Sequence, residues 1–338
     1  MAAVQNRDII VIGGSAGGFE VLTALLPRLP GDLPATVLIV LHTSDKSRLA
    51  EALAHLSRLP LSYAQNGETL HKGRVYVAVP DHHLLIHDGH MLLRQGPREN
   101  HSRPAIDPLF RSAAVSHAAR VIGLVLSGSL NDGTAGLMAV KQCGGVTMVQ
   151  DPQDAIFPEM PSSARWHVDP DRVVRTPDLA QTLDDLSREA SGPTPPIPDR
   201  LKFEVAMAAQ ELQDMTSETQ HGKLTRFTCP ECEGALWEIT DGTLLRYRCH
   251  VGHAFTADTM LAMQEDDIEQ MLWRLLRKHI DHAELAGRAA ERMRRLDSNE
   301  LSERLIARSK SYSDDAELFR RLLNNRLTGA KSDPQTQK

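Results

Sequence analysis

Apolar runs alternate with amphipathic stretches along the first 190 residues. The short, continuously apolar runs predict strands that are buried on both faces, and the apolar spacing of three and four between them predicts helices. The strands are predicted at 8–13, 36–41, 120–126 and 146–149, and the helices near 18–27, 47–57, 106–118 and 134–142. This order predicts an α/β fold with a doubly wound, mostly parallel sheet.

Residues 74–94 depart from this alternation. Three apolar runs are separated there by the turn signals Pro80-Asp81 and Asp88-Gly89. The pattern predicts a β-hairpin insertion or a sheet edge. The histidines between 82 and 90 could suggest a metal site, but a solvated hairpin is the interpretation we favour.

The pattern changes after residue 190. Residues 1–190 form the first predicted domain, and residues 191–200 form a Pro-rich linker. A small module that contains a cysteine group is expected at 201–256, and amphipathic spacing predicts a helical hairpin at 257–326, with a break near 297–299. The polar tail 327–338 is expected to be disordered.

Composition narrows the possible partners and location. The chain has 338 residues, of which 41% are hydrophobic and 24% charged. Its net charge of −6 lacks the excess of positive charge that is typical of nucleic-acid-binding proteins. No apolar run reaches the roughly 18 residues that span a bilayer, and the start lacks a signal-peptide pattern. We therefore expect a cytoplasmic protein that neither spans a membrane nor binds nucleic acid.

Ser15 lies where the first predicted strand meets the first predicted helix. The run Gly13-Gly14-Ser15-Ala16-Gly17-Gly18 removes side chains where the backbone must turn, and free N–H groups at a helix start favour negative charge. The loop matches neither a dinucleotide fingerprint nor the usual position of a hydrolase elbow. Taken alone, it leaves a catalytic serine and a phosphate-type loop both open.

Two further residues follow predicted strands at the same edge of the sheet. His42 comes directly after the second strand, and Asp132 lies in the small-residue loop after 120–126. A serine, a histidine and a carboxylate at neighbouring strand ends favour a catalytic triad, although His42 alone suits a surface position and Asp132 alone a helix cap. The other histidines of this domain are in poorer positions to act as the base: His55, His71, His82, His83, His87 and His90.

The first 190 residues resemble the catalytic domain of the chemotaxis protein-glutamate methylesterases, the CheB family. The matching motifs are Ile12-Gly13-Gly14-Ser15-Ala16-Gly17-Gly18, Leu41-His42, Arg103-Pro104-Ala105-Ile106-Asp107-Pro108-Leu109-Phe110, Ser127-Gly128-Ser129-Leu130-Asn131-Asp132-Gly133-Thr134-Ala135-Gly136 and Phe157-Pro158-Glu159-Met160-Pro161. The resemblance implies a nucleophile at Ser15, a general base at His42 and its partner at Asp132. It implies hydrolysis of glutamate γ-methyl esters on a methylated chemoreceptor, in some members with glutamine deamidation, and without a catalytic cofactor.

Oxyanion and substrate contacts are expected near this triad. The N–H of Ala16, at the helix start, is the first candidate oxyanion donor. Gly17, Ser129 and Asn131 complete the expected oxyanion and substrate loops. Arg103 suits either the steering of acidic receptor segments or an ion pair at a helix entry.

Two features depart from the family pattern. Family members usually begin with a receiver domain, whereas the catalytic strand here starts at residue 8, so we expect either constitutive activity or control by a separate regulator or by the C-terminal half. The family's Gly-Met-Gly is Gly128-Ser129-Leu130 here. This replacement bears on substrate preference more than on mechanism.

Three of the four cysteines lie close together with His250 and His253. Cys229 and Cys232 are separated by two residues, and Cys249 begins a second turn that ends at His253. The spacing is typical of a zinc ribbon with a hairpin between the ligand turns, so we expect structural zinc on Cys229, Cys232, Cys249 and His253. His250 is the alternative fourth ligand, and reduced cysteines without metal remain possible.

Three functions are carried forward from the sequence. The first is a serine esterase for methylated receptor glutamates. The second is a catalytically silent chemosensory adaptor, and the third is an esterase or amidase with another protein substrate.

Overall fold

The computed structural model describes residues 5–42, 48–210 and 222–329. The strands are β1 Ile9–Gly14, β2 Thr36–Leu41, β3 Leu61–Tyr63, β4 Val75–Val77, β5 His83–His87, β6 His90–Arg94, β7 Val121–Val125, β8 Val146–Gln150, β9 Arg172–Val174, β10 Lys223–Thr228, β11 Ala235–Asp241, β12 Leu244–Cys249 and β13 Ala254–Thr256. The helices are α1 Gly18–Leu25, α2 Leu49–Ala54, α3 Ile106–His117, α4 Thr134–Gln142, α5 Glu159–Val168, α6 Leu179–Arg188, α7 Asp199–Ala208, α8 Ala257–Arg295 and α9 Asn299–Gly329.

A parallel sheet forms the centre of the first compact unit. Within the described residues its strand order is β3-β4-β2-β1-β7-β8-β9, and every neighbouring pair is parallel. Alternate residues of β1 enter two separate buried clusters, one on each face of the sheet. The predicted doubly wound architecture is therefore confirmed, and its apolar strands are continuous because both faces are covered.

The hairpin region needs two corrections. Val75–Val77 pairs parallel with β2 inside the main sheet, so only His83–His87 and His90–Arg94 form the antiparallel hairpin. His83 is not solvated either, since it is only 1% exposed and its Nε2 lies 2.9 Å from the carbonyl oxygen of Pro97. Burial lowers the pKa of His83, which favours the neutral ring.

A second, antiparallel sheet, β10-β11-β12-β13, belongs to the same compact unit, which extends to Met260. Leu201 of α7 and Leu244 of β12 are part of the buried cluster on one face of the main sheet. Ile197, from the predicted linker, packs against that cluster as well. The small sheet is thus part of the same packed body as the parallel sheet.

The second unit, Leu261–Lys338, contains most of α8 and all of α9. Its buried residues Leu276, Ala316 and Leu323 pack together with Leu272 and Phe319. The helix α9 continues to Gly329, three residues beyond the predicted end of the hairpin, and the rest of the expected disordered tail lies outside the described residues. Among the helices that the structure describes, none is both long and apolar enough to cross a bilayer.

Candidate active site and metal centre

The strand register brings Ser15 and His42 to the same sheet edge. Gly14 pairs with Leu41 across β1 and β2, so the next residue on each strand is Ser15 or His42. The N–H of His42 donates to the carbonyl oxygen of Gly14, and the N–H of Ser15 donates to that of Ser127 beyond β7. Three neighbouring strands therefore fix these two residues at the carboxyl edge, where α/β sheets bind their ligands.

Glycines permit the close packing around Ser15. A Cβ on Gly128 would collide with the Met160 sulfur and with Cβ of Ser15. Gly17 has φ of 75°, a left-handed conformation that favours glycine, and it leads the chain into α1. The glycines near the nucleophile candidate are thus required by space and backbone geometry.

His42 and Asp132 form a direct pair. Nε2 of His42 lies 2.8 Å from Oδ2 of Asp132, and their side chains are 19% and 3% exposed. With Nε2 facing the carboxylate, Nδ1 is the ring nitrogen that remains to accept a proton. The structure therefore contains the His42–Asp132 contact of the predicted triad.

Asp132 is surrounded by hydrogen-bond donors. Its Oδ2 also accepts the N–H of Ile106 at 2.7 Å, and its Oδ1 accepts the Asn100 amide at 2.9 Å and the N–H of Gly133 at 2.9 Å. Burial by itself would raise the pKa of Asp132, but the bonds from His42, Ile106 and Asn100 outweigh it and lower that pKa. The carboxylate is therefore held ionised beside the imidazole.

Ser15 and His42 line one cavity of about 470 Å³, together with Ala16, Phe19, Leu41, Arg48, Leu49 and Ala52. Among the described residues no hydrogen bond joins Oγ of Ser15 to the His42 ring. The hydroxyl of Ser102 is instead within hydrogen-bond distance of the His42 ring, with its Oγ 3.4 Å from Nδ1. Sequence reasoning missed Ser102, although it directly precedes the Arg103-Pro104 motif.

Cavity lining distinguishes the two serines. Ser15 lines the cavity beside His42, and Ser102 is not among the described residues that line it. In the described part of the chain, no hydrogen bond is donated by the N–H of Ala16 or of Gly17, the two residues that lead into α1. These N–H groups beside Ser15 are therefore candidate oxyanion donors.

The other expected substrate-loop residues are placed differently. The guanidinium of Arg103 bonds to Asp81 at 2.7–2.8 Å and to the carbonyl oxygen of Gly96, which agrees with the ion-pair alternative. Ser129 is exposed, whereas Asn131 is 1% exposed and its amide bonds to Thr256 and Asp258. Arg103 and Asn131 therefore have structural partners of their own.

The cysteine group comes together in the second sheet. The ligand atoms of Cys229, Cys232, Cys249 and His253 all lie within 4.8 Å of one another. Sγ of Cys232 is 3.8 Å from Sγ of Cys249, and Nδ1 of His253 is 3.4 Å from Sγ of Cys249. Thiolates about 2.3 Å from one tetrahedral ion lie about 3.8 Å apart, so this set of three sulfur atoms and one nitrogen fits zinc.

His250 is not part of this group. Its ring packs against Trp237, with the centroids 6.0 Å apart. A hydrogen bond with Cys229, helped by contact with His253, lowers the pKa of the Cys249 thiol to about 3 against the effect of burial. A thiolate at Cys249 is the form that binds metal.

Comparison with known proteins gives a family match over the domain of the parallel sheet. The family model described as CheB methylesterase matches residues 10–183, more than half of the chain. The chain belongs to the CheB methylesterase family. The metal cluster lies beyond the region that this family model matches.

Individual relatives support the assignment. A putative protein-glutamate methylesterase/protein-glutamine glutaminase of Leptospira interrogans serovar copenhageni is 37% identical over 180 residues, which cover 52% of this chain and 93% of that protein. A protein named protein-glutamate methylesterase/protein-glutamine glutaminase 2 from Anaeromyxobacter dehalogenans is 36% identical over 189 residues, 55% of each chain. The chain thus spans only about half the length of that second relative.

A solved structure shows the same fold. The CheB methylesterase catalytic domain of Thermotoga maritima aligns with a TM-score of 0.51 and 31% sequence identity, covering 53% of this chain and 98% of that domain.

Proposed function

We propose that this protein is a serine hydrolase that removes methyl groups from glutamate γ-methyl esters of a chemoreceptor. The observation that carries the proposal is the His42–Asp132 pair at the sheet edge where Ser15 follows β1. Family membership and the names of the relatives support the same chemistry. Glutamine deamidation is the related reaction, since both begin with attack on a γ-carbonyl.

The proposed mechanism uses His42 Nδ1 as the base. Nδ1 takes the proton from Ser15 as Oγ attacks the ester carbonyl, and the N–H groups of Ala16 and Gly17 stabilise the oxyanion. The imidazolium then returns the proton to departing methanol, while ionised Asp132 stabilises the charged ring. Water hydrolyses the resulting acyl-enzyme by the same route and releases glutamate.

The role that we propose for the C-terminal metal site is structural. We propose that zinc on Cys229, Cys232, Cys249 and His253 closes the two ligand turns of the small sheet. Four protein ligands leave no open position on a tetrahedral ion, so the site would not bind substrate.

Methanol release from a methylated receptor tests the proposed enzyme function. Ser15→Ala should reduce methanol release to background, whereas Ser102→Ala should retain most of it, because Ser15 lines the cavity and Ser102 is not among the described residues that line it. Ser162→Ala, at an exposed position of α5, is the surface control. Full activity in Ser15→Ala with loss in Ser102→Ala would assign the nucleophile to Ser102 and overturn the mechanism.

A further inference from the structure

The segment that leaves the metal turn runs into the surroundings of the catalytic carboxylate. His253, in the metal cluster, is followed directly by Ala254–Thr256, the strand β13. The N–H of Asn100 donates to the carbonyl oxygen of Ala254 at 2.8 Å, and the N–H of Thr256 donates to Oδ1 of Asn100 at 3.1 Å. The other end of the same amide donates to Asp132. The Asn100 side chain thus joins β13 to the carboxylate.

A second set of bonds holds the residue next to Asp132. Oδ1 of Asn131 accepts hydrogen bonds from Thr256 at 2.5 Å and from Thr259 at 3.2 Å. Its Nδ2 donates to Asp258 at 2.8 Å. Asn131, Thr256 and Thr259 are all 1% exposed or less, so water does not compete for these bonds. The whole amide of Asn131 is therefore fixed by residues that follow the metal turn.

Buried ion pairs fasten the small sheet to the catalytic domain. Arg248 of β12 lies 3.4 Å from Glu99, which also binds Arg111 of α3 at 2.5 Å. Arg246 and Arg248 both bind Glu204 of α7 at 2.9–3.0 Å. These five charged residues are all 3% exposed or less. Separating the small sheet would break every pair that crosses this boundary.

The small sheet acts on the carboxylate side of the site rather than over the cavity. The described residues that line the Ser15 cavity all lie between Ser15 and Ala52, and none of them comes from the small sheet. The contacts above are instead with Asn100 and Asn131. The small sheet thus supports the His42–Asp132 pair from the side of the carboxylate and leaves substrate access to the cavity open.

We propose that zinc bound by Cys229, Cys232, Cys249 and His253 maintains the active site through β13, with Asn100 and Asn131 as the positioning residues that hold Asp132 against His42. The inference rests on the function proposed above. Loss of the metal would loosen the turn before Ala254, and with it the bonds that orient the carboxylate. Esterase activity is then linked to zinc occupancy, although zinc takes no part in the reaction.

The first arm of the test follows hydrogen exchange of the full chain with zinc bound, after chelation, and after zinc is added back. The N–H of Ile106 donates to Asp132, so its exchange reports on the carboxylate independently of activity. Chelation should speed exchange at Ile106 and Asn100, and added zinc should reverse this. The N–H of Val37, bonded to Arg74 at a distant part of the sheet, is the reference amide. Faster exchange confined to residues 222–256, with Ile106 unchanged, would overturn the proposal.

The second arm retains the metal and removes one contact. Thr256→Val deletes the hydroxyl bonded to Asn131 and should lower kcat for methanol release roughly tenfold with little change in KM, because a lost buried hydrogen bond costs about 1–2 kcal/mol. Thr256→Ser should restore the rate, and Thr240→Val, an exposed position of β11, is the matched control. Wild-type kcat in Thr256→Val with one zinc bound would contradict the proposal.

The two arms separate this inference from the proposed function. If neither loaded nor stripped protein releases methanol but Ile106 exchange responds to zinc, the esterase function fails and the coupling stands. If methanol is released equally with and without zinc and Ile106 exchange does not change, the coupling fails and the esterase stands.

Discussion

The pKa values of two neighbouring buried carboxyl groups at the active site are shifted in opposite directions. Asp132 accepts N–H bonds on both oxygens, which lowers its pKa. Burial raises the pKa of Asp107 to about 7, with the charge of Asp132 adding to the effect. The environments of the two groups thus favour the charge on Asp132, the residue that contacts His42.

This difference predicts a pH dependence of stability. Between about pH 4 and 7 the native protein holds the Asp107 proton, which the unfolded chain has already released. The contribution of Asp107 to the free energy of unfolding should therefore fall as the pH rises through this range, and level off above about 7. Urea unfolding of wild type and Asp107→Asn at pH 5 to 8 isolates this contribution of Asp107. A wild-type-minus-variant difference that rises with pH would contradict the assignment.

At the scale of elements, apolar patterning was sufficient to predict the strands after which the site residues lie. β1, β2 and β7 lie close to their predicted positions because each is buried on both faces. Their common direction then placed Ser15, His42 and Asp132 at one edge. The three-residue strand Val75–Val77 was assigned wrongly, because a short run before a turn does not reveal which neighbour it pairs with.

The contacts behind Asp132 could not be predicted from local sequence. Asn100 and Thr256 are separated by 156 residues, and neither belongs to a pattern that indicates the other. His83 was also missed, since its burial depends on Pro97 and on the N–H of Ala105. Such polar contacts follow from tertiary packing, which hydrophobic periodicity does not describe.

The buried ion pairs around Glu204 give a prediction for the stability of α7 and the small sheet. Burial would raise the pKa of Glu204, but Arg246, Arg111 and Arg248 hold it well below its usual value. Glu204→Gln removes one counter-charge from a group of buried guanidinium side chains and should lower the free energy of unfolding by about 3–5 kcal/mol. Denaturant unfolding measures this, with Asp199→Asn at the exposed start of α7 as the control. Equal midpoints for Glu204→Gln and wild type would show that the cluster contributes little.

At the scale of the whole molecule, the first compact unit extends well past the catalytic domain predicted from sequence. It ends at Met260 and includes the metal cluster. The polar contacts of Glu99, Asn100 and Asn131 with residues beyond 190 join the two parts into one compact unit.

A fragment of residues 1–190 tests this view of the unit. It lacks Arg248 and Thr256, so Glu99 loses one buried partner, Asn100 loses its contacts with β13, and Asn131 loses its bond from Thr256. We expect methanol release at least about tenfold slower than in the full chain, from the loss of about 1–2 kcal/mol of hydrogen bonding around Asp132. A fragment as active and as stable as the full chain would show that the catalytic domain is independent of the small sheet.

The most direct test of the mechanism is the capture of the acyl-enzyme. The full chain is mixed with a receptor peptide that contains a glutamate γ-methyl ester, quenched in acid during turnover, digested and analysed by mass spectrometry. The account predicts the receptor peptide joined through its glutamate γ-carbonyl to the fragment that contains Ser15, and no such adduct in Ser15→Ala. Methanol release by Ser15→Ala at the wild-type rate, or an adduct on Ser102 instead, would contradict it.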